Sequence, residues 1–364
     1  MIIFQKYCFL KIIKLRGVKF NLNNISFAIP VSGALYDGSL KLLNKCGLNV
    51  SRPNDRVYTA KIPALQGVDI MFQRQSDIPA RLDSNVADIG VVGLDSFYEK
   101  KIDNGNSIVI IDNLGFGASD MVLAVPEAWL DVKNLADLAD LSFEMREKGQ
   151  DLRIATKYPR LVTRFLNQNS IYYFNIVDAS GGIEVAPYIG YADMICDITA
   201  TGNTLRQNRL KIIENGTVFS SQAALVANIE NISKKTNSIE LAKAIIEKIE
   251  AHLNSRKFIR VTVNLSLDDL GISDPEELIS VVGSNPTLHG LKGPSFSNVI
   301  TNEPGVWVSL ELIIANDQLL DCVNELRALG GVSITTSELG MIFYKDSVAF
   351  SKLESAVEIF GERK

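Results

Sequence analysis

From residue 25 to about residue 228 the chain alternates short β-type apolar runs with stretches of helical spacing, and this limits the fold more than any other feature. Strands recurring between helices imply an α/β architecture. Ile25–Pro30 reads as a strand, Ser32–Gly38 as a loop and Asp37–Cys46 as a helix stopped by Gly47. Val68–Gln73 is a strand, Ser76–Asn85 a capped helix and Asp88–Gly93 another strand. Ile108–Asp112 and Asp120–Pro126 flank a turn at Gly115-Phe-Gly117. Trp129–Gln150, rich in aspartate, reads as a surface insertion or helix pair. Leu152–Ala155, Ile171–Val177 and Met194–Ile198 follow as strands. A helix through Arg160–Asn167 opens at Pro159, a residue suited to a first turn.

Beyond this region the pattern changes. Ser238–Leu253 carries apolar residues at Ile239, Ala242, Ile245, Ile246, Ile249 and Leu253, which is helical spacing. Phe258–Leu265 alternates as a half-exposed strand, Asp274–Val282 reads as a helix and Val306–Ile314 as a long strand. Asn316–Leu329 is a second helix stopped by Gly330-Gly331, and Val332–Thr336 a further strand. The order is that of a small ferredoxin-like domain. At 364 residues, two or three domains are expected.

Composition excludes several classes of function. A net charge of −5 without a Lys/Arg cluster argues against nonspecific nucleic-acid binding. Cys8, Cys46, Cys196 and Cys322 are far apart with no CxxC spacing, so a reducing, cytoplasmic setting fits better than a disulfide or zinc framework. With only His252 and His289 in the chain, a Ser-His-Asp or Cys-His mechanism has no obvious base. Residues 1–24 mix apolar residues with Lys6, Lys11, Lys14, Arg16 and Lys19, and read as a poorly ordered extension. Their apolar run is too short for a membrane span or a signal peptide, and no membrane segment is expected elsewhere.

The stretch Ala192–Leu205 carries the chemistry. Met194, Ile195 and Cys196 read as a buried strand ending at Asp197, followed by the loop Thr199-Ala-Thr-Gly-Asn-Thr204. Backbone N–H groups, three threonine hydroxyls and a glycine that permits tight curvature can form an anion-binding nest there. Asp197 beside it can accept hydrogen bonds from sugar hydroxyls, which suits a ribose 5-phosphate. An ordinary strand-to-helix turn is the competing reading of the same residues.

The chain resembles the ATP phosphoribosyltransferase family along residues 25–228, and more weakly to its end. The resemblance rests on eight blocks in order: Phe27-Ala-Ile-Pro30 with Gly33 and Leu35; Arg74-Gln-Ser-Asp-Ile-Pro79; Ala87–Asp95; Leu114-Gly-Phe-Gly117; Val122–Glu127; Ile154–Arg160; Gly182-Ile-Glu-Val-Ala-Pro187; and the loop above. It implies a two-lobed catalytic part like a type II periplasmic-binding protein, plus a C-terminal ferredoxin-like (ACT-like) regulatory domain. The expected division is 25–118 with 206–253 as lobe I, 119–205 as lobe II and 254–364 as the regulatory domain.

The implied reaction transfers the phosphoribosyl group of phosphoribosyl pyrophosphate to the adenine ring of ATP and releases pyrophosphate, with Mg2+ accompanying the pyrophosphate. It is the first step of histidine biosynthesis. The long form implies histidine as feedback inhibitor and a homo-oligomer, dimer to hexamer. Such chemistry needs positioning and charge stabilisation more than a strong base.

On this resemblance Thr201, Gly202, Asn203 and Thr204 hold the 5-phosphate, with Thr199 and Ala200 shaping the nest. Asp197 accepts from the ribose hydroxyls or serves only as a turn cap. Glu184 faces ribose or magnesium, or is a solvated first-turn residue. Lys157 and Arg74 face phosphate groups, or form surface salt bridges. Tyr158 lines the cleft or packs, and Asp95 caps a helix. One departure stands out: the family carries a lysine in the first loop, whereas Pro30-Val-Ser-Gly-Ala-Leu35 has none. That departure supports an alternative, a catalytically weakened regulatory or ligand-binding paralogue. A solute-binding protein of the same fold is a third reading, disfavoured by the phosphate loop.

Overall fold

A computed structural model describes residues 24–54, 56–179, 181–273 and 275–362; the N-terminal extension and Cys8 lie outside them, as does Asp274 at the start of an expected helix. Two compact units are distinguished: residues up to 44 with 48–244 and the C-terminal helix, and residues 45–47 with 245–348.

The first unit contains two sheets. In the first, β1 (Ile25–Pro30) lies between β3 (Val68–Gln73) and β4 (Ile89–Gly93), parallel to both. β2 (Thr59–Lys61) adds antiparallel to β3, and β11 (Ala223–Asn228) joins β4 antiparallel and carries β5 (Ser107–Ile111) at the far edge. Ile25, Phe27, Ile29, Ile70 and Ile89 are all fully buried. Strands covered on both faces read as continuous apolar runs rather than alternating ones, which is why they are visible in the sequence. Helices α1 (Ala34–Lys45), α2 (Ile78–Asp83) and α3 (Leu94–Lys100) connect them.

The second sheet runs in the order β10-β6-β9-β7-β8, built from β6 (Ser119–Pro126), β7 (Leu152–Thr156), β8 (Phe174–Asp178), β9 (Met194–Thr199) and β10 (Leu210–Ser221). β7 is parallel to β8 and β9, while β6 and β10 enter antiparallel. Helix α4 (Leu135–Glu147) is a single helix, where the sequence leaves a surface insertion or a helix pair open. Asn134 and Asp137 form a reciprocal capping box that starts it, satisfying N–H groups the first turn leaves open. Helix α5 (Pro159–Gln168) buries Val162 and Leu166.

Two crossings join the sheets. Leu114 N–H donates to Ala223 O and Ala223 N–H to Phe116 O, so the β5–β6 and β10–β11 connections lie side by side. Gly117 has φ +71°, and a Cβ there would stand 2.4 Å from Leu35. Only glycine fits both the conformation and the space. Expected boundaries need two corrections. Residues 206–253 do not belong to the first lobe alone, because β10 extends the second sheet through seven register pairs with β6. The C-terminal helix groups with the first unit, not with the preceding domain.

After α6 (Asn203–Gln207), α7 (Ile229–Lys234) and α8 (Ser238–Ser255), the second unit forms an antiparallel sheet. Its strands are β12 (Phe258–Ser266), β13 (Ser295–Asn298), β14 (Trp307–Ala315) and β15 (Val332–Glu338), in the order β13-β14-β12-β15. With α9 (Pro275–Gly283) and α10 (Leu319–Ala328) in the connections, this is the ferredoxin-like arrangement. Val308, Leu310, Leu312 and Ile314 of β14 alternate into a core with Leu278, Val282, Cys322 and Leu326. The chain ends in α11 (Val348–Glu362).

Candidate phosphate site of the second sheet

Parallel strands present ligands at their carboxyl ends, and in the second sheet two neighbouring strands carry charged residues there. Thr156 of β7 pairs with Cys196 of β9, so Lys157 and Asp197 emerge side by side. Lys157 Nζ lies 3.9 Å from Asp197 Oδ2. Asp197 Oδ1 accepts from the N–H of Ile198 at 2.9 Å. Partial burial raises the Asp197 pKa above 3.8, against the lowering effect of the Ile198 N–H and Lys157, and Glu184 adds to the rise. Glu184 itself is half-buried in a short 3-10 turn, Ile183–Val185.

Past Asp197 the strand ends at Thr199, whose Oγ1 accepts from the N–H of Gly202 at 2.7 Å. Gly202 has φ +70° and turns the chain into α6. Among the described residues no backbone partner takes the loop N–H groups of Ala200, Thr201, Asn203 or Thr204. Thr201, Asn203 and Thr204 are exposed. Arg206 holds the loop from behind, donating from Nη2 to Thr201 O at 3.1 Å and to Asn203 Oδ1 at 2.7 Å. A short loop with open N–H groups, hydroxyls and a neighbouring lysine can bind a phosphate monoester.

Arg74 stands apart from this group. It follows β3 at the carboxyl end of the first sheet, is exposed and makes no side-chain hydrogen bond or ion pair among the described residues. A second cation that sequence reasoning missed marks the same strand end. The Arg52 guanidinium lies 4.1 Å over the Phe72 ring, with Nε donating to Val57 O at 2.7 Å. No local motif announces it, because Phe72 and Arg52 meet only through the sheet.

Other residues resolve into structural roles. Asp193 is taken by Arg153, whose Nη2 lies 2.7 Å from Oδ1. Cys196 is fully buried, and burial drives its thiol pKa well up, as expected of a core residue rather than a nucleophile. His289 Nε2 lies 2.7 Å from Gly283 O and His252 Nδ1 3.2 Å from Gly340 O, both within the second unit. Asp95 does more than start α3. It is 2% exposed, and its carboxylate accepts from Tyr158 and Ser221. Among the described residues no group of three or more His, Cys, Asp or Glu forms a metal cage, and no helix is long and apolar enough to cross a membrane.

Fold and site together define a two-sheet α/β protein with an open-donor loop at a strand end, followed by a ferredoxin-like domain. The family model described as ATP phosphoribosyltransferase matches residues 74–253. A relative from Arabidopsis thaliana, ATP phosphoribosyltransferase 2, chloroplastic, is 34% identical over 91% of this chain and 80% of its own length. The ATP phosphoribosyltransferase of Bradyrhizobium sp. (strain ORS 278) is 31% identical over 90% of this chain and 97% of its own length. A solved ATP phosphoribosyl transferase (HisG:HisZ) complex from Thermotoga maritima aligns with 62% of this chain and 96% of its own, at 27% identity and a TM-score of 0.47. The chain belongs to the ATP phosphoribosyltransferase family, a family of transferases in histidine biosynthesis.

Proposed function

We propose that the chain transfers the 5-phosphoribosyl group of phosphoribosyl pyrophosphate to a ring nitrogen of the adenine of ATP, releasing pyrophosphate. The observation that carries this reading to the level of residues is the open-donor loop 199–204, which begins two residues after Asp197. Thr201, Asn203 and Thr204 hold the 5-phosphate through backbone N–H groups and hydroxyls, while Gly202, its N–H taken by Thr199 Oγ1, turns the loop and Thr199 and Ala200 shape it. Asp197 accepts from the ribose hydroxyls and fixes the sugar.

The bond from the anomeric carbon to pyrophosphate breaks as the bond to adenine forms. Positive charge gathers on the ribose and negative charge on the leaving group. Asp197 and Glu184 stabilise the first by their field and Arg74 the second, while Lys157 stands at the 5-phosphate.

Mg2+ would be held by Asp197 and Glu184, whose carboxylates lie close enough to act on each other, and would neutralise the departing charge. In the same reading the ferredoxin-like domain is regulatory, histidine is the inhibitor and the working form is a homo-oligomer, dimer to hexamer. The buried free thiols of Cys46, Cys196 and Cys322 support a reducing, cytoplasmic setting.

The test is pyrophosphate release, with product absorbance followed in the ultraviolet and pyrophosphatase present. Release that requires ATP and phosphoribosyl pyrophosphate together is expected. Binding of both without product contradicts the reading and favours a binding protein.

A further inference from the structure

The turn that carries Lys157 belongs to the second sheet, yet helix α3 of the first sheet holds it. Asp95 lies in the first turn of α3, and its carboxylate accepts from Tyr158 Oη at 3.0 Å. The same carboxylate accepts from Ser221 Oγ, the last residue of β10 before the chain crosses back to the first sheet. Four residues on, and therefore on the same helix face, Glu99 accepts the backbone N–H groups of Arg160 and Leu161, both at 3.0 Å. Beyond the helix end, Arg160 donates to Lys101 O at 2.7 Å and pairs with Asp103.

These contacts consume the donors at the start of α5. Pro159 has no N–H, Glu99 takes those of Arg160 and Leu161, and Val162 N–H donates to Tyr158 O. A helix N-terminus is ordinarily an anion site, but this one is closed by a carboxylate of the other sheet. An arriving phosphate is left with the Lys157 side chain and the 199–204 loop, so the direction of Lys157 matters. The Arg160–Asp103 pair is solvent-exposed and contributes little. The Tyr158–Asp95 bond is the sheltered member of the set.

We propose that Asp95 and Tyr158 are a positioning pair: the first sheet's carboxylate fixes the Lys157–Tyr158 turn so that Lys157 projects beside Asp197 at the phosphate loop. The pair rests on the reading of Lys157 as a phosphate-facing cation. Burial and the carboxylates of Asp95 and Asp197 drive the Tyr158 pKa well above its ordinary value, so the hydroxyl stays a donor throughout the working range.

Tyr158→Phe keeps the ring and removes the bond. Its KM for phosphoribosyl pyrophosphate is expected to rise about tenfold, with the KM for ATP unchanged within about twofold. Asp95→Asn is expected to give the same split. In a Lys157→Ala background Tyr158→Phe adds less than about twofold, because its effect passes through Lys157. An equal loss with and without Lys157 overturns the proposal. So does a lowered melting temperature with both KM values intact, the mark of a structural bond. Wild-type protein that releases no pyrophosphate overturns the reaction reading instead. Calorimetric affinities of the same variants for ribose 5-phosphate then judge the positioning pair alone, by the same tenfold shift or its absence.

Discussion

The two sheets of the first unit tie their strand ends differently. The second sheet is tied at both: Arg153 pairs with Asp193 at the amino ends, and at the carboxyl ends Lys157 faces Asp197, Arg206 props the loop and Tyr158 is tied to Asp95. The first sheet is tied most firmly at its amino ends. Asp88, fully buried, accepts from the N–H of Ser26 at 2.7 Å and pairs with Lys235, which also donates to Asn24 O at 3.1 Å. At the first sheet's carboxyl ends Asp95 and Arg52 are held, but Arg74 has no side-chain partner among the described residues, and Ser32 and Gly33 are exposed. Preorganised groups bind with less loss of freedom. Under the proposed function the tied mouth at Lys157 would therefore suit the phosphoribosyl group, and the mouth at the unpartnered Arg74 the pyrophosphate that departs.

The largest effect separating the two ends is on stability. Lys235→Met strands the buried Asp88 carboxylate and is expected to cost about 3–5 kcal/mol. Thermal or urea unfolding reads that loss, while kcat/KM of the folded fraction holds. A fall in kcat/KM without a change in unfolding reverses the assignment.

Next comes Asp197→Asn, expected to lower kcat/KM about a hundredfold. The pH dependence gives it a signature. With its folded pKa raised, Asp197 binds a proton more tightly in the native chain than in the unfolded one. Ionising it therefore costs folding stability as pH rises, and Asp197→Asn is expected to unfold slightly later than wild type at neutral pH. Activity runs the other way, since the carboxylate accepts from ribose hydroxyls through both oxygens and the neutral acid turns one of them into a donor. The acid limb of kcat/KM lies above the ordinary aspartate value and disappears in the variant. A variant less stable than wild type, or an unmoved acid limb, removes Asp197 from the site.

Smaller still is Arg74→Ala, expected to lower kcat about tenfold while the dissociation constant of ribose 5-phosphate stays put. Weakened ribose 5-phosphate binding in this variant erases the difference between the two mouths.

Much of this contrast is legible in the sequence where chemistry is contiguous. The buried strands β1, β3, β4 and β9 read as apolar runs, and Asp197 through Thr204 is one uninterrupted motif. β10 escapes detection because Glu214, Asn215 and Gly216 interrupt it, with Asn215 at φ +58° and two register shifts against β6. Alanines dilute the β signal of β11, Ala223–Asn228. Helix α1 begins at Ala34 rather than Asp37, a shift of one turn at an end with no capping side chain in the sequence. The Asp95 cluster is invisible for a different reason. Its partners Tyr158 and Ser221 lie 63 and 126 residues away, and only the side-by-side crossings bring them together.

The most direct test of the central claim is calorimetric titration of ribose 5-phosphate into wild-type protein and two variants, Thr201→Ala/Thr204→Ala and Arg74→Ala. The account predicts that the threonine pair abolishes measurable binding and that Arg74→Ala leaves it intact. Binding that survives in the threonine variant and fails in Arg74→Ala would mean that the first sheet, not the second, holds the phosphoribosyl group.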